Sequence, residues 1–259
     1  MLGASAMRSI LILGGTTEAR LLAGRLGAQA DVAVTLSLAG RTRTPVTMPV
    51  PVVSGGFGGV DGLARWLVER RIDLLIDATH PFAAIMSRNA AGASRQSGVR
   101  MIALRRPAWE RRPGDRWTDA ADPAGAIAGL GPNPRRVFLA LGRQEAHAAN
   151  AAPWHDYLVR SVEPIDPPLA VPLARYILDR GPFAQADDLA LLRDNGIDAI
   201  VAKNSGGTAS YGKIAAARDL DIEVMLVTRP SVPDVPTLGT VDAAVAAALH
   251  ALGLIERGE

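Results

Sequence analysis

The chain contains no cysteine. Disulfide frameworks, zinc–thiolate sites, iron–sulfur clusters and thiol nucleophiles are excluded together by that single absence. No apolar run reaches the roughly eighteen residues that a membrane helix needs, so no membrane partner is expected. The stretch Ile10–Leu13 is too short for a signal-peptide core and runs straight into Gly14 and Gly15. The six residues before Met7 read as a disordered leader or an alternative start and carry no weight in the fold. A long basic run or an aromatic-studded basic face is also missing, and the formal net charge is only +2. A nucleic-acid partner is therefore not expected. The doublets Arg105–Arg106, Arg111–Arg112 and Arg135–Arg136 read as solvated loop charge, with attraction of an acidic ligand as the alternative.

Lysine is nearly absent as well. Only Lys203 and Lys213 stand against 26 arginines, and both fall in one segment, K-N-S-G-G-T-A-S-Y-G-K. A coding bias explains the arginines but not that clustering, which points to a place where a compact ammonium suits better than a guanidinium.

What remains is a chain of 259 residues, 48% hydrophobic and 21% charged, enough for one large or two modest packed domains. Short β-branched runs alternate with Ala/Leu-rich helical stretches. Strands are expected over Ser9–Leu13, Asp31–Ser37, Val50–Ser54, Ile72–Asp77 and Val99–Arg105, with helices over Thr17–Ala28, Val60–Arg71 and Phe82–Ser97. The β-α-β order implies right-handed crossovers and a parallel sheet covered on both faces. Residues 107–135, rich in Pro and Gly, read as a linker or boundary. Alternation then resumes: strands over Arg136–Leu141, Asp156–Val162, Ile197–Ala202 and Ile222–Thr228, and helices over Gln144–Ala152, Phe183–Asn195, Ser210–Arg218 and Val241–Leu252. The expected fold class is α/β, with two Rossmann-like lobes of mainly parallel sheet and an inter-lobe cleft. The division is residues 7–106 for a dinucleotide-binding domain and 136–259 for a substrate-binding domain.

Five segments carry candidate chemistry. Gly14-Gly15-Thr16-Thr17-Glu18 follows the first strand, where a glycine turn and a helix amino terminus can receive a pyrophosphate. It lacks the G-x-G-x-x-G spacing, and the competing reading is a tight turn with Thr17 as helix cap. The second strand ends in Ser37-Leu38-Ala39-Gly40-Arg41-Thr42-Arg43, with no acid to hold a ribose 2′-hydroxyl and with arginines instead. If a dinucleotide binds, Arg41 favours NADPH over NADH by pairing with the 2′-phosphate. Gly55-Gly56-Phe57-Gly58-Gly59 follows the third strand and offers a close backbone approach, through Gly56 in particular. Asp77-Ala78-Thr79-His80-Pro81 follows the fourth strand, with Thr79 toward a cofactor and His80 toward cofactor or substrate. Lys203-Asn204-Ser205-Gly206, followed by Tyr211 and Lys213, offers an ammonium, an amide, a hydroxyl and backbone donors to an anion. Arg143 is a weaker candidate from the second half, and the pair Asp187–Asp188 reads as a solvated helix start.

In this order the motifs G-G-T-T-E-A-R, S-L-A-G-R-T, D-A-T-H-P-F-A, K-N-S-G-G and a later Y-x-K-I resemble the precorrin-6A reductase family of cobalamin biosynthesis. The likeness runs from about residue 7 to 250, and no motif matches within 106–135 or 163–182. It implies a cytoplasmic enzyme that reduces one double bond of a tetrapyrrole with NADPH, using neither metal nor flavin. The substrate carries many carboxylates, which suits Arg41, His80, Arg143, Lys203, Asn204, Ser205 and Gly206. His80, Lys203, Tyr211 and water are the candidates for proton delivery. A non-catalytic NADPH sensor and a reductase of another molecule, including the cobalt-containing analogue, stay open. The sequence does not set the oligomeric state.

Overall fold

The computed structural model describes residues 7–38, 48 and 50–254. They form two compact units: one holds the chain up to Arg106 together with Ser231 onward, and the other is Pro107–Pro230. Among the described residues no helix is long and apolar enough to cross a membrane.

The first unit is a six-stranded, all-parallel sheet. Its strands are β1 (Arg8–Leu13), β2 (Val32–Leu38), β3 (Val52–Ser54), β4 (Leu74–Asp77), β5 (Arg100–Leu104) and, from the far end of the chain, β12 (Thr237–Leu238). Their order across the sheet is β12-β5-β4-β1-β2-β3. The direction of winding reverses between β1 and β4, the place where doubly wound sheets bind ligands outside the strand carboxyl ends. Strand alternation divides the core in two. Ile10, Ile12, Leu74, Ile76, Ile102 and Leu104 face α1 (Thr17–Gly27) and α7 (Val241–Ala251). Leu11, Leu13, Leu75 and Met101 face α2 (Gly59–Glu69) and α3 (Ala84–Ser97). A strand buried on both faces needs the continuous apolar run seen in β1, with successive side chains going to opposite layers.

The second unit repeats the plan. Its strands are β6 (Trp117–Ala120), β7 (Arg136–Ala140), β8 (Asp156–Ser161), β9 (Ala174–Leu178), β10 (Ala199–Lys203) and β11 (Glu223–Val227), in the order β6-β11-β10-β7-β8-β9, again all parallel. The reversal lies between β7 and β10. Helices α4 (Pro123–Ala128), α5 (Gln185–Asp194) and α6 (Gly212–Asp219) and a 3-10 helix at Ala146–Ala151 complete it. Phe138, Leu158, Ile200, Ala202, Val224 and Leu226 share one core layer with Leu192 of α5 and Ile214 and Ala217 of α6.

The division of the chain differs from the sequence-based one in two places. Residues 107–135 are no linker: they contribute β6 to the second sheet and α4 to the second unit. The Pro/Gly signals there are helix-start chemistry, since Asp122 caps α4 through Gly125 N–H (2.7 Å) with Pro123 in the first turn. The segment from 231 to 254 belongs to the first unit, where α7 buries Ala244, Val245, Ala248 and Leu252 against the β1 side of the core. β9 also went unforeseen. It is an edge strand whose A-R-Y-I-L residues are largely open to solvent, so no buried periodicity marks it.

Candidate functional site

At the reversal point of the first sheet, the turn after β1 meets the turn after β4. Gly14 is pressed against β2. Its N–H donates to Ser37 O (2.8 Å), and a Cβ there would stand 2.7 Å from the Leu36 side chain. Gly15 serves differently: its φ of +115° is a glycine conformation, and the space where its Cβ would point is open. Thr16, not Thr17, caps α1. Its Oγ1 accepts from Ala19 N–H (3.0 Å) and donates to Ala78 O (2.9 Å), which ties the two turns together. The N–H groups of Gly15, Thr16, Thr17 and Glu18 meet no acceptor among the described residues. The result is a fixed ring of backbone donors at a helix amino terminus, with positive potential outside it.

Asp77 shapes the second turn. Buried at the end of β4, its carboxylate accepts from Thr79 N–H (3.1 Å), Thr79 Oγ1 (2.6 Å), Ser87 Oγ (2.6 Å) and Arg105 (3.4 Å). Thr79 thus spends its hydroxyl proton inside the loop. His80 is half-buried, and its Nδ1 accepts from Phe82 N–H (3.3 Å). A neutral ring therefore carries its proton on Nε2. Glu18, in the first turn of α1, pairs with Arg106 at 2.6 Å. With Thr16, Thr79 and Pro81 these two side chains line a small pocket. Ser37 lies buried beside Leu13 at the end of β2. Gly56 keeps an ordinary φ and has nothing where its Cβ would be, whereas Gly55, Gly58 and Gly59 take positive φ. Gly40 and Arg41 lie outside the described residues.

The corresponding point of the second sheet joins the turn after β7 to the turn after β10. Lys203 ends β10 and pairs with Glu145 at 2.6 Å (Nζ to Oε2). Arg143, two residues before Glu145, is exposed and makes no hydrogen bond or ion pair among the described residues. The rest of the K-N-S-G-G motif is turned to building the loop. The Asn204 side chain accepts from Trp109 N–H (2.8 Å) and donates to Trp109 O (3.0 Å). The Trp109 indole N–H donates to Gly207 O (2.7 Å). Arg229 donates to Asn204 O (3.0 Å) and Ser205 O (3.0 Å). Gly206 has a φ of +68°, and a Cβ there would collide with Pro107 O and the Arg229 guanidinium. Tyr211 precedes α6 without a side-chain cap bond, and its hydroxyl accepts from Arg218 near the other end of that helix (2.6 Å). Lys213 is buried, donates to Ser210 O (2.6 Å) and sits 5.0 Å from the Trp109 ring centre.

Comparison with known proteins bears on this pair of sites. The family model described as "Precorrin-6x reductase CbiJ/CobK" matches residues 9–249. That span takes in every turn described above. The chain belongs to the precorrin-6x reductase family. Within it, the chain is 56% identical over 241 residues to a precorrin-6A reductase of Sinorhizobium sp, covering 93% of this chain and 92% of that one. A precorrin-6A reductase of Rhodobacter capsulatus is 49% identical, covering 88% and 90%. A solved structure titled "CobK precorrin-6A reductase" superposes with a TM-score of 0.90 at 45% identity, covering 98% and 100%.

For this precorrin-6x reductase family member, sequence reasoning located the turns but not the partners that shape them. It missed Glu145, Trp109 and Arg229. Each is joined to the K-N-S-G-G loop from a distant part of the chain, 58, 95 and 25 residues from Lys203 or Asn204. It also read Asp187–Asp188 as a solvated pair. Asp188 is in fact buried and paired with Arg160 of β8 at 2.5 Å, while the Arg160 guanidinium lies over Phe183 (3.7 Å to the ring centre). Helical position alone separates the two: Asp188 lies on the face of α5 that also buries Leu192, four residues on.

Proposed function

We propose that this protein reduces the tetrapyrrole precorrin-6A to precorrin-6B with NADPH, in the cytoplasm, as a step of cobalamin biosynthesis. The observation that carries the reading is near full-length identity to proteins named precorrin-6A reductase. The first unit fits a dinucleotide on its own geometry. The unfilled N–H groups at the start of α1, the open side of Gly15 and the Thr16 cap form a cradle for a pyrophosphate. Gly14, Gly15, Thr16, Thr17 and Glu18 would hold it, with Thr79 and Gly56 bordering and Ser37, Gly40 and Arg41 at the adenosine side. NADPH supplies a hydride when bound.

The chain's own part is positioning and charge. The Thr16–Ala78 bond and the Asp77 network lock the two turns of the first unit, so a bound group meets donors that need no rearrangement. In the second unit Lys203, Arg143 and the Ser205–Gly206 backbone would take substrate carboxylates, on a loop held by Asn204 and Arg229. A proton must join the macrocycle beside the hydride. His80, Lys203, Tyr211 and water are the candidates to bring one; the Tyr211 hydroxyl accepts from Arg218 and keeps its own proton.

The test is NADPH absorbance with purified protein and precorrin-6A. Oxidation should begin only when the macrocycle is added. Binding of NADPH without oxidation would make the protein a sensor, and turnover only on the cobalt-containing macrocycle or another acceptor would reassign the substrate.

A further inference from the structure

Resting on the proposed assignment of Lys203 to substrate carboxylates, we propose that Glu145 is a built-in competitor for that lysine, holding the carboxylate position until a substrate carboxylate replaces it. The pair is close, 2.6 Å from Nζ to Oε2. It joins the two turns at the reversal point of the second sheet, where ligands of such sheets bind. A carboxylate at a site meant for a polyanion is otherwise adverse, because it repels the ligand. Placed on the ammonium itself, it does something useful. It shows Lys203 the chemical group that the lysine is built to recognise, and it keeps the long side chain in one geometry.

The contact also has the right strength for exchange. Lys203 is mostly buried, 15% exposed, but Glu145 is 34% exposed. A carboxylate so open to water recovers hydration when it leaves, so the bond breaks at small cost. The Glu145 side chain does not cap the 3-10 helix that follows it. The residue comes after a turn with Gly142 at φ +83° and has α-region backbone. Arg143, two residues earlier and without a hydrogen bond or ion pair among the described residues, is left to engage a second carboxylate. Binding is then an exchange of partners at Lys203, and the product, which keeps the same carboxylates, is released by the reverse exchange. Glu145 is accordingly a specificity and release residue, not a catalytic one.

The experiment measures equilibrium binding of precorrin-6A by calorimetry, without NADPH, to wild type and to the variants Glu145→Gln, Glu145→Ala, Lys203→Met and the double variant Lys203→Met/Glu145→Gln. NADPH affinity and circular dichroism serve as folding controls. Glu145→Gln and Glu145→Ala should tighten the macrocycle by roughly two- to fivefold, the worth of one partly exposed ion pair. Steady-state KM should fall with it, and kcat should fall if product release limits turnover. In the Lys203→Met background the Glu145→Gln effect should vanish. Weaker binding in both Glu145 variants would overturn the idea and make Glu145 an aid to Lys203. Tightening that persists without Lys203 would overturn it too, as general charge repulsion. If Lys203→Met leaves affinity unchanged, the assignment of Lys203 to substrate fails instead, and the inference falls with it.

Discussion

Single residues in the two turns divide into those with open space beside them and those that hold the turn. Gly14 and Gly206 are both glycines of close approach, and a side chain at either would strike the fold itself. Gly15 differs, because only its φ forbids a side chain and the space beside it is open. Sequence spacing could not separate these roles, since neighbouring strands and the Arg229 side chain decide them. Arg41 is read from sequence alone, as the cation that replaces the usual acid after the second strand. Arg41→Ala should weaken NADPH by about 1.5–3 kcal/mol, roughly ten- to a hundredfold, and leave NADH nearly unchanged. Fluorescence titration with both cofactors checks it, and equal losses for the two would remove Arg41 from the phosphate. His155 carries a prediction about pH. Burial first, and the nearby Arg135 charge second, hold its pKa below the ordinary value near 6.5. Its Nδ1 accepts from Arg135 N–H (3.2 Å), so the folded state keeps a neutral ring. The unfolded chain binds the proton more readily, so stability is full above about pH 6.5 and declines as pH falls through the lowered folded value. Urea midpoints between about pH 7.5 and 5.5 should fall in wild type. They should fall less in His155→Asn, which keeps an acceptor but does not titrate.

At the scale of elements, buried parallel strands declare themselves. β1, β4, β7 and β10 are short apolar runs, and each ends at a turn with chemistry in it. The position of these turns was readable, because a strand buried on both faces leaves only its end free for polar groups. The strands that escaped notice lie at sheet edges: β9 with its open face, β6 with four residues and β12 with two. Burial makes most of these strands visible in the sequence, whereas the open edge strand β3 was read from its β-branched run. The same reasoning explains why the Arg160–Asp188 pair was invisible, since it joins β8 to α5 across the interior. Arg160 lies between Phe138 and Phe183, and Asp188 abuts Gly212 at the start of α6. Asp188→Asn would leave a buried guanidinium short of its counter-charge, at a cost of about 3–5 kcal/mol. Thermal unfolding should show a large loss. Replacing both partners with apolar residues should recover part of it, because a lone buried charge costs more than a removed pair. A loss no greater in Asp188→Asn than in the double variant would show that packing, not charge, is at issue.

For the whole molecule, the two sheets share one strand order but close it differently. In the second unit the sixth strand, β6, precedes the other five. In the first, β12 follows every other described strand of the chain. The fragment 107–230 contains its whole sheet and its core, and it should fold alone with a cooperative transition. The fragment 7–106 lacks β12 and α7, whose Ala244, Val245, Ala248 and Leu252 fill the layer over β1, and it should be unstable or aggregate. Adding residues 231–259 as a separate peptide should restore structure measured by circular dichroism, and no gain on addition would count against the division.

That arrangement sets an order on synthesis. A ribosome releases residues 7–106 first, yet the layer that α7 completes cannot close until α7 emerges, after the whole of the second unit. The half made second is the half that can finish first. During translation the proposed dinucleotide cradle therefore sits on an unfinished sheet, its Ile10, Ile12 and Leu22 layer covered by α1 but not yet by α7. Chaperones that bind apolar segments have their longest opportunity there, and premature termination anywhere before α7 forfeits the opening domain and not only the tail.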